Sequence, residues 1–171
     1  MAQLKIDKKE YTSVAFLDIE GAFNIVCPEG IFDTLLKLGI SAPIVKLISF
    51  LLTSRIVSST IGEATVERQV SRGTPQGGII SPLLWVVVVN ELLNTMSNSG
   101  FKVIAYADDV AVICQGKYPQ TLCEIMEHAL FILSEWVIKC GQDVNPNKTE
   151  LVLFTRKYKI PKLIPPKLNN T

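Results

Sequence analysis

Residues 102–114 read KVIAYADDVAVIC, two apolar, β-branched runs interrupted only by Asp108 and Asp109. Each run has the composition of a strand, and so short a gap between them predicts a tight β-hairpin with both acids at its turn. Two-residue hairpin turns favour Asn-Gly or Asp-Gly, because their central residues take positive φ. Asp-Asp suits such a turn less well and sets two like charges side by side. Divalent cations would relieve that repulsion, since clustered carboxylate oxygens suit Mg²⁺ or Mn²⁺. Aspartate is also an ordinary turn former, so the acids alone leave both readings open.

The elements around this hairpin restrict the fold. TSVAFLDI (12–19) reads as a buried strand ending near Asp18. Pro28 and Glu29 open a short helix closed by Gly39, and Ser41 begins a second helix that runs to about Thr53. RIVSSTIGEATVERQV (55–70) reads as a hairpin turning at Gly62. Ser81 and Pro82 then look like the cap and first turn of a helix to about Ser97. Val86–Val89 favour a strand by propensity, yet the start signal and the length favour a helix buried on most sides. From Pro119 to Cys140, apolar residues recur at three- and four-residue intervals, and Gly141 follows as a stop signal. NPNK makes a turn and TELVLFT (149–155) a last strand. With 28–70 set aside, the order is strand, helix, strand, strand, helix, strand. This α+β pattern is the split β-α-β-β-α-β arrangement, an antiparallel sheet with helices packed on one face. It allows Asp18 to lie beside Asp108 and Asp109.

Composition narrows the class. The chain has 171 residues and is 48% hydrophobic, enough for one sizeable core. Its longest charge-free apolar stretch, LLWVVVV at 83–89, falls short of the roughly 18 residues that suggest a membrane span. The start, MAQLKIDKKEY, lacks the apolar region of a secretory signal. The four cysteines show no C-x-x-C spacing and read as reduced core thiols of an intracellular protein, with no disulfides. Net charge is +1, but it is unevenly placed. Residues 12–147 carry eight Lys/Arg against thirteen Asp/Glu, whereas from Lys148 onward there are six basic residues and one acid, Glu150. An acidic middle repels phosphates unless cations are bound there; a solvated acidic surface with a basic tail accounts for the same numbers.

RGTPQGG (72–78) is the other distinctive segment. It lacks the G-K-[ST] ending of a P-loop and the G-x-G-x-x-G of a dinucleotide site. Gly73, Gly77 and Gly78 permit close backbone approach to a flat ligand, Pro75 stiffens the loop and Gln76 offers both a donor and an acceptor.

Taken together and in order, VAFLDIEGAF, RGTPQGGIISPLLW, YADDVAVI and NPNKTELVLF resemble the reverse transcriptases of non-LTR (LINE-type) retrotransposons, over roughly residues 12–156. Two relatives of the same palm fold are excluded: viral RNA-dependent RNA polymerases carry G-D-D with a different glycine loop, and diguanylate cyclases carry G-G-[DE]-E-F. The resemblance implies a polymerase palm with a partial fingers insertion over 1–156 and a loose Pro/Lys-rich tail over 157–171. The start of the fingers and the thumb are expected outside this chain.

The implied activity is RNA-directed DNA polymerisation, a two-metal nucleotidyl transfer from dNTP to a primer 3′-OH. Asp18, Asp108 and Asp109 match the catalytic, metal-binding carboxylates, with the Ile19 carbonyl as a further ligand. Mg²⁺ is the implied cofactor, with Mn²⁺ as a substitute. Lys148 matches a lysine that donates a proton to leaving pyrophosphate, although in a turn it is equally a solvated lysine. Phe23 falls at the steric-gate position that excludes a ribonucleotide 2′-OH; by composition it is equally a core aromatic. Ala22, Gln76 and Gly77 complete the substrate-binding set. Asn24 stands where the family has Asp, which removes no metal ligand. Implied partners are an RNA template, a DNA primer or target and dNTPs, without a membrane, in a cytoplasmic ribonucleoprotein and the nucleus. The alternative is an inactive retroelement relic or a repurposed RNA- or partner-binding domain. His128 reads as exposed, Trp85 and Trp136 as core, and Arg55, Arg68 and Arg72 as solvated charges, with contact to template phosphates as the alternative.

Overall fold

The structure is a computed structural model; it describes residues 10–21, 23–24, 26–75, 77–160 and 162–168. Ala22 and Gln76, two of the expected substrate-binding residues, lie outside the described residues. The elements follow in the order β1 (Tyr11–Glu20), α1 (Pro28–Lys37), α2 (Ala42–Thr53), β2 (Arg55–Ile61), β3 (Ala64–Val70), α3 (Ser81–Asn98), β4 (Lys102–Tyr106), β5 (Asp109–Gly116), α4 (Pro119–Lys139), β6 (Asp143–Val144) and β7 (Glu150–Phe154). No helix among the described residues is long and apolar enough to cross a membrane. The chain divides into two compact units: one holds residues 1–20, 92–139 and 143–171, the other residues 21–91 and 140–142.

The first unit is the expected antiparallel sheet, ordered β4-β5-β1-β6, with β7 pairing β1 as well. β1 pairs β5 from Tyr11–Gly116 to Asp18–Asp109, and its other edge pairs β7 and then β6. Strand alternation sorts the side chains. Ala15, Leu17 and Ile19 of β1, with Val110 and Val112 of β5, are buried, and α4 packs on these two strands. Phe16, Asp18 and Glu20 point the other way and are at least partly open. α4 keeps its expected apolar stripe, with Leu122, Met126, Ala129, Leu133, Trp136 and Val137 buried, whereas Ile125 is exposed. Cys114 and Cys123 are buried free thiols; burial pushes Cys114 up to about 11, so both read as core.

The sequence places the hairpin turn at Asp108-Asp109; the structure places it one residue earlier, at Ala107-Asp108, with Tyr106 and Asp109 as the closing pair. Among the described residues Ala107 is the one non-glycine position with a positive φ, 52°. An alanine there is strained by about 1–2 kcal/mol. The long ladder to β1 overrides that local preference, because it keeps Asp109 in register and lets the Asp108 carbonyl accept from the Ile19 amide at 3.0 Å. The two-residue β6 was not foreseen. It is a short patch opposite Ile19 and Glu20, too brief to carry a pattern.

The second unit contains α1, α2, the β2–β3 ribbon and the 71–80 loop. The ribbon turns at Gly62, with φ of 62°. Arg55, read from sequence as a solvated charge, instead donates to the carbonyls of Leu52 (2.9 Å), Arg72 (2.7 Å) and Gly73 (2.6 Å) and ties the ribbon to the glycine loop. The Gly73 amide donates to Val26 at 2.8 Å and the Thr74 amide to Phe23 at 2.6 Å. Gly73 has φ of +71°, and a Cβ there would meet the carbonyls of Asn24 and Phe23, the latter at 2.6 Å. Gly77 has φ of +80° but open space around it. Gly77→Ala is therefore expected to lower stability by about 1 kcal/mol, from backbone conformation alone. Gly73→Ala adds overlap with main chain, and a loss of at least about 3 kcal/mol is expected. Urea unfolding of both variants checks the difference; equal losses would show that the 71–80 loop does not pack on residues 23–26 as described.

Candidate active site

The open face of the first unit carries two transverse rows of side chains set by strand register. Tyr106, Asp109 and Asp18 form one row across β4, β5 and β1; Ile104, Ala111 and Phe16 form the next. Directly opposed residues of an antiparallel pair share a face with Cβ atoms about 5 Å apart, so the Asp18 and Asp109 carboxylates are held side by side. They and Lys148 border a groove of about 530 Å³ whose apolar wall includes Phe16, Ile104 and Tyr106. Phe16 is 43% exposed, Ile104 51% and Tyr106 82%, an unusual apolar opening beside two acids.

The groove's acid end is completed by the 145–149 turn. The Asn145 amide donates to the Asp18 carbonyl at 3.0 Å, and its side-chain amide donates to Glu20 at 2.6 Å. Its side-chain oxygen accepts from the Asn147 amide at 3.0 Å, and its carbonyl accepts from Lys148 N (3.2 Å) and Thr149 Oγ1 (2.8 Å). This network sets Lys148 so that its Nζ lies 3.0 Å from Asp18 Oδ2. The hydrogen bond to Asp18, then that residue's charge, push the ammonium above the usual lysine value. Slight desolvation opposes them, and Glu20 and Asp108 add smaller upward effects. Lys148 thus stays protonated throughout the neutral range. Asn145, which ties this turn to β1, was not singled out by sequence reasoning; the signal was the Asn-Pro start of the turn.

Among the described residues no three His, Cys, Asp or Glu side chains gather as a metal-holding group. Of the three expected carboxylates, Asp18 and Asp109 are brought together, while Asp108 sits at the turn apex and approaches through its backbone. The donor chemistry still fits a hard divalent cation. It is all oxygen, two like charges directly oppose each other, and the Ile19 carbonyl points to the hairpin side, as its amide does.

In the second unit, Phe23 is half-buried, its ring centroid 6.1 Å from that of Trp85 at 47°. Trp85 itself is buried, as expected. The Ser81 hydroxyl donates to the Pro75 carbonyl at 2.7 Å, and the Gly78 amide closes on the same carbonyl at 2.9 Å, so the start of α3 is stitched to the glycine loop. Gly77 is exposed in that loop. Exposed His128 stacks obliquely near Phe101, 5.9 Å between centroids, and takes no part in either cluster.

A family model described as reverse transcriptase (RNA-dependent DNA polymerase) matches residues 2–163. The RNA-directed DNA polymerase from mobile element jockey of Drosophila funebris is 28% identical over 156 residues, 88% of this chain and 17% of that protein. The retrovirus-related Pol polyprotein from type-1 retrotransposable element R1 2 of Nasonia vitripennis is 35% identical over 86 residues, 50% of this chain and 21% of its own length. The chain thus spans about a fifth of the length of these curated relatives. A telomerase structure from Candida tropicalis, in complex with the TWJ fragment of telomeric RNA, shares the fold. Its TM-score is 0.69 at 12% identity, and the match covers 88% of this chain and 27% of that one. With the family match running through every motif that carries the opposed carboxylates, the glycine loop and the lysine turn, the chain belongs to the reverse transcriptase family, with relatives among non-LTR retrotransposons.

Proposed function

We propose that this chain is the catalytic palm, with part of the fingers, of an RNA-directed DNA polymerase that extends a DNA primer on an RNA template. The observation that carries the reading is the pairing of Asp18 with Asp109 on an open sheet face, with Lys148 on the same Asp18 oxygen. Residues 1–156 form the working part and 157–171 an appendage to it. By the origin of its relatives, such a protein would work in a cytoplasmic ribonucleoprotein and in the nucleus.

Asp18 and Asp109 would hold divalent cations, Mg²⁺ with Mn²⁺ as substitute, joined by Asp108 and the Ile19 carbonyl as further oxygen donors. When bound, such cations ease deprotonation of a hydroxyl and neutralise phosphate oxygens. The chain's own residues do the remaining work. Lys148 presents a proton at Nζ to a leaving diphosphate, and Asn145 positions the turn that carries it. Phe23 excludes a ribose 2′-OH, while Ala22, Gln76 and Gly77 bind the incoming nucleotide. Lys148 and a cation compete for Asp18, because both need its carboxylate oxygens.

Primer extension with dNTPs on an RNA template, in Mg²⁺ and in Mn²⁺, tests the reading. Asp18→Asn and Asp109→Asn are expected to lower incorporation by about 10³-fold or more, and Lys148→Met by about 10²-fold. Equal silence of folded wild type and variants would favour the relic instead. While it holds Asp18, Lys148 has a raised value, so its proton is present below the ordinary lysine range and lost only as pH rises through that value; a cation that displaces it from Asp18 returns it towards the ordinary lysine range, still well above neutrality. The pH–rate profile should therefore show no inflection from Lys148 below about pH 10; one that Lys148→Met removes near neutrality contradicts the assignment.

Phe23→Ala should raise rNTP use relative to dNTP use by about tenfold or more, the scale on which a pocket contact discriminates. An unchanged ratio would assign Phe23 to the core. Mn²⁺ titration followed by electron paramagnetic resonance should show tighter binding in Lys148→Met than in wild type. Weaker binding would mean that the lysine supports the site rather than competing for it.

A further inference from the structure

The β2–β3 ribbon is exposed except at its base, where Arg55 and Val70 form the last pair and are half-buried. The Arg55 side chain turns to three main-chain carbonyls. Its Nε donates to Leu52 at 2.9 Å, in the last turn of α2, and its Nη2 donates to Arg72 at 2.7 Å and to Gly73 at 2.6 Å, where the glycine loop begins. The first bond meets an ordinary need, since the last carbonyls of a helix lack partners within it and attract a cation. Gln69 does the same for the next carbonyl, with its Nε2 3.3 Å from the Thr53 oxygen. The other two bonds serve no helix. They fix two successive peptide groups of the loop.

From Gly73 onward the loop is held by the segment that bears Phe23. The Gly73 amide donates to the Val26 carbonyl, and the amide and hydroxyl of buried Thr74 both donate to the Phe23 carbonyl, the amide at 2.6 Å. One residue on, the Pro75 carbonyl accepts from the Ser81 hydroxyl and the Gly78 amide. In the chain, Gln76 and Gly77 therefore follow directly on three residues that are each pinned from outside the loop's own turn. A binding group on a loop is only as precise as the contacts that hold the loop. Hydrogen bonds donated by a cation are about twice as strong as neutral ones, so the two from Arg55 weigh most in setting where the loop starts. Through Thr74 they also bear on the backbone of Phe23.

We propose that Arg55 is a positioning residue for nucleotide selection, holding the glycine loop against the Phe23 segment so that Gln76 and Gly77 meet the incoming nucleotide where Phe23 excludes its 2′-OH. This rests on the polymerase reading above, which assigns those residues to the nucleotide. Two substitutions divide the guanidinium. Glutamine ends in an amide at the chain position of the arginine Nε, so Arg55→Gln keeps a donor for Leu52 and loses both bonds to the loop. Arg55→Lys keeps the charge as a single point without the fork. Gln69→Ala removes the neighbouring ribbon-to-helix bond and leaves the loop bonds in place.

The test measures kcat and KM for dNTP and rNTP in primer extension by the full chain, beside hydrogen exchange of the 71–80 amides read by mass spectrometry. Arg55→Gln should raise KM for dNTP by about tenfold with kcat within about twofold, and lower the preference for dNTP over rNTP by about tenfold. The Gly73 and Thr74 amides should exchange at least about tenfold faster. Arg55→Lys should fall between wild type and Arg55→Gln, and Gln69→Ala should match wild type; if Arg55→Gln does not fold, Arg55→Lys carries the same readouts. A merely structural role would reduce the active fraction, and so kcat, with KM and preference unchanged. That result overturns the proposal, as do unchanged exchange at the two amides or equal effects in Gln69→Ala. Extension by wild type with unchanged exchange in Arg55→Gln removes Arg55 alone. A folded wild type that extends nothing overturns the catalytic reading and the nucleotide role with it, and faster exchange in Arg55→Gln then leaves Arg55 as a clamp on the loop.

Discussion

β1 is hydrogen-bonded along both edges, to β5 on one side and to β7 and then β6 on the other. This double pairing lets two carboxylates stand face to face. Two unit charges about 5 Å apart repel by about 1 kcal/mol in bulk water, and more strongly where protein excludes part of it. Each ladder hydrogen bond contributes about 0.5–1.5 kcal/mol net, and the Asp18–Asp109 pair is the last of eight registered pairs. The ladder therefore holds a repulsive pair that an isolated hairpin would splay apart. Leu17, Ile19, Val110 and Val112, buried on the other face, strengthen this hold, since each well-buried aliphatic side chain adds about 1.5–3 kcal/mol.

Much of this framework was legible because it rests on periodicity. The α4 stripe, the β-branched runs of β1 and β5 and the start signals of α1 and α3 each specify an element locally. The conflict over Val86–Val89 resolved as a helix, with Leu84, Trp85, Val88, Val89 and Leu92 buried and Leu83 and Val86 exposed, so one side of the helix stays open. The misplaced turn shows what local rules leave out. Asp and Gly are the residues expected at positive φ, yet Ala107 takes it, because the β1–β5 register is a long-range property that no window around YADD contains. β6 escaped notice for the same reason, as two residues have no period.

The site was legible in its acids and not in its supports. Asp18, Asp109 and Lys148 were named from their motifs, and register together with the 145–149 turn brings them together. Asn145 was not singled out and Arg55 was read as a solvated charge, although each makes several hydrogen bonds that fix a loop. Arg55 works on backbone carbonyls, which any sequence supplies, so no residue pattern points to it; Asn145 reaches the Glu20 side chain as well as backbone, and only the Asn-Pro start of its turn marks it. Gly73 lies between these cases. Its glycine was expected for close approach to a ligand, and the close approach found is to the Asn24 and Phe23 carbonyls of its own chain. Part of what a glycine-rich motif records here is therefore how its loop packs.

The uneven charge distribution now has a spatial meaning. Phe154, after which the C-terminal cations follow, stands opposite Thr12, six residues along β1 from Asp18, a separation of roughly 20 Å, while screening acts over about 8 Å at physiological salt. Cations beyond the end of β7 are thus too distant to offset the repulsion between Asp18 and Asp109. Only charges within the groove do that, and among the described residues Lys148 is the cation that borders it. A net charge of +1 therefore conceals two independent arrangements. One is the pairing of Lys148 with Asp18 beside Asp109 at the groove, the other the run of cations that follows β7.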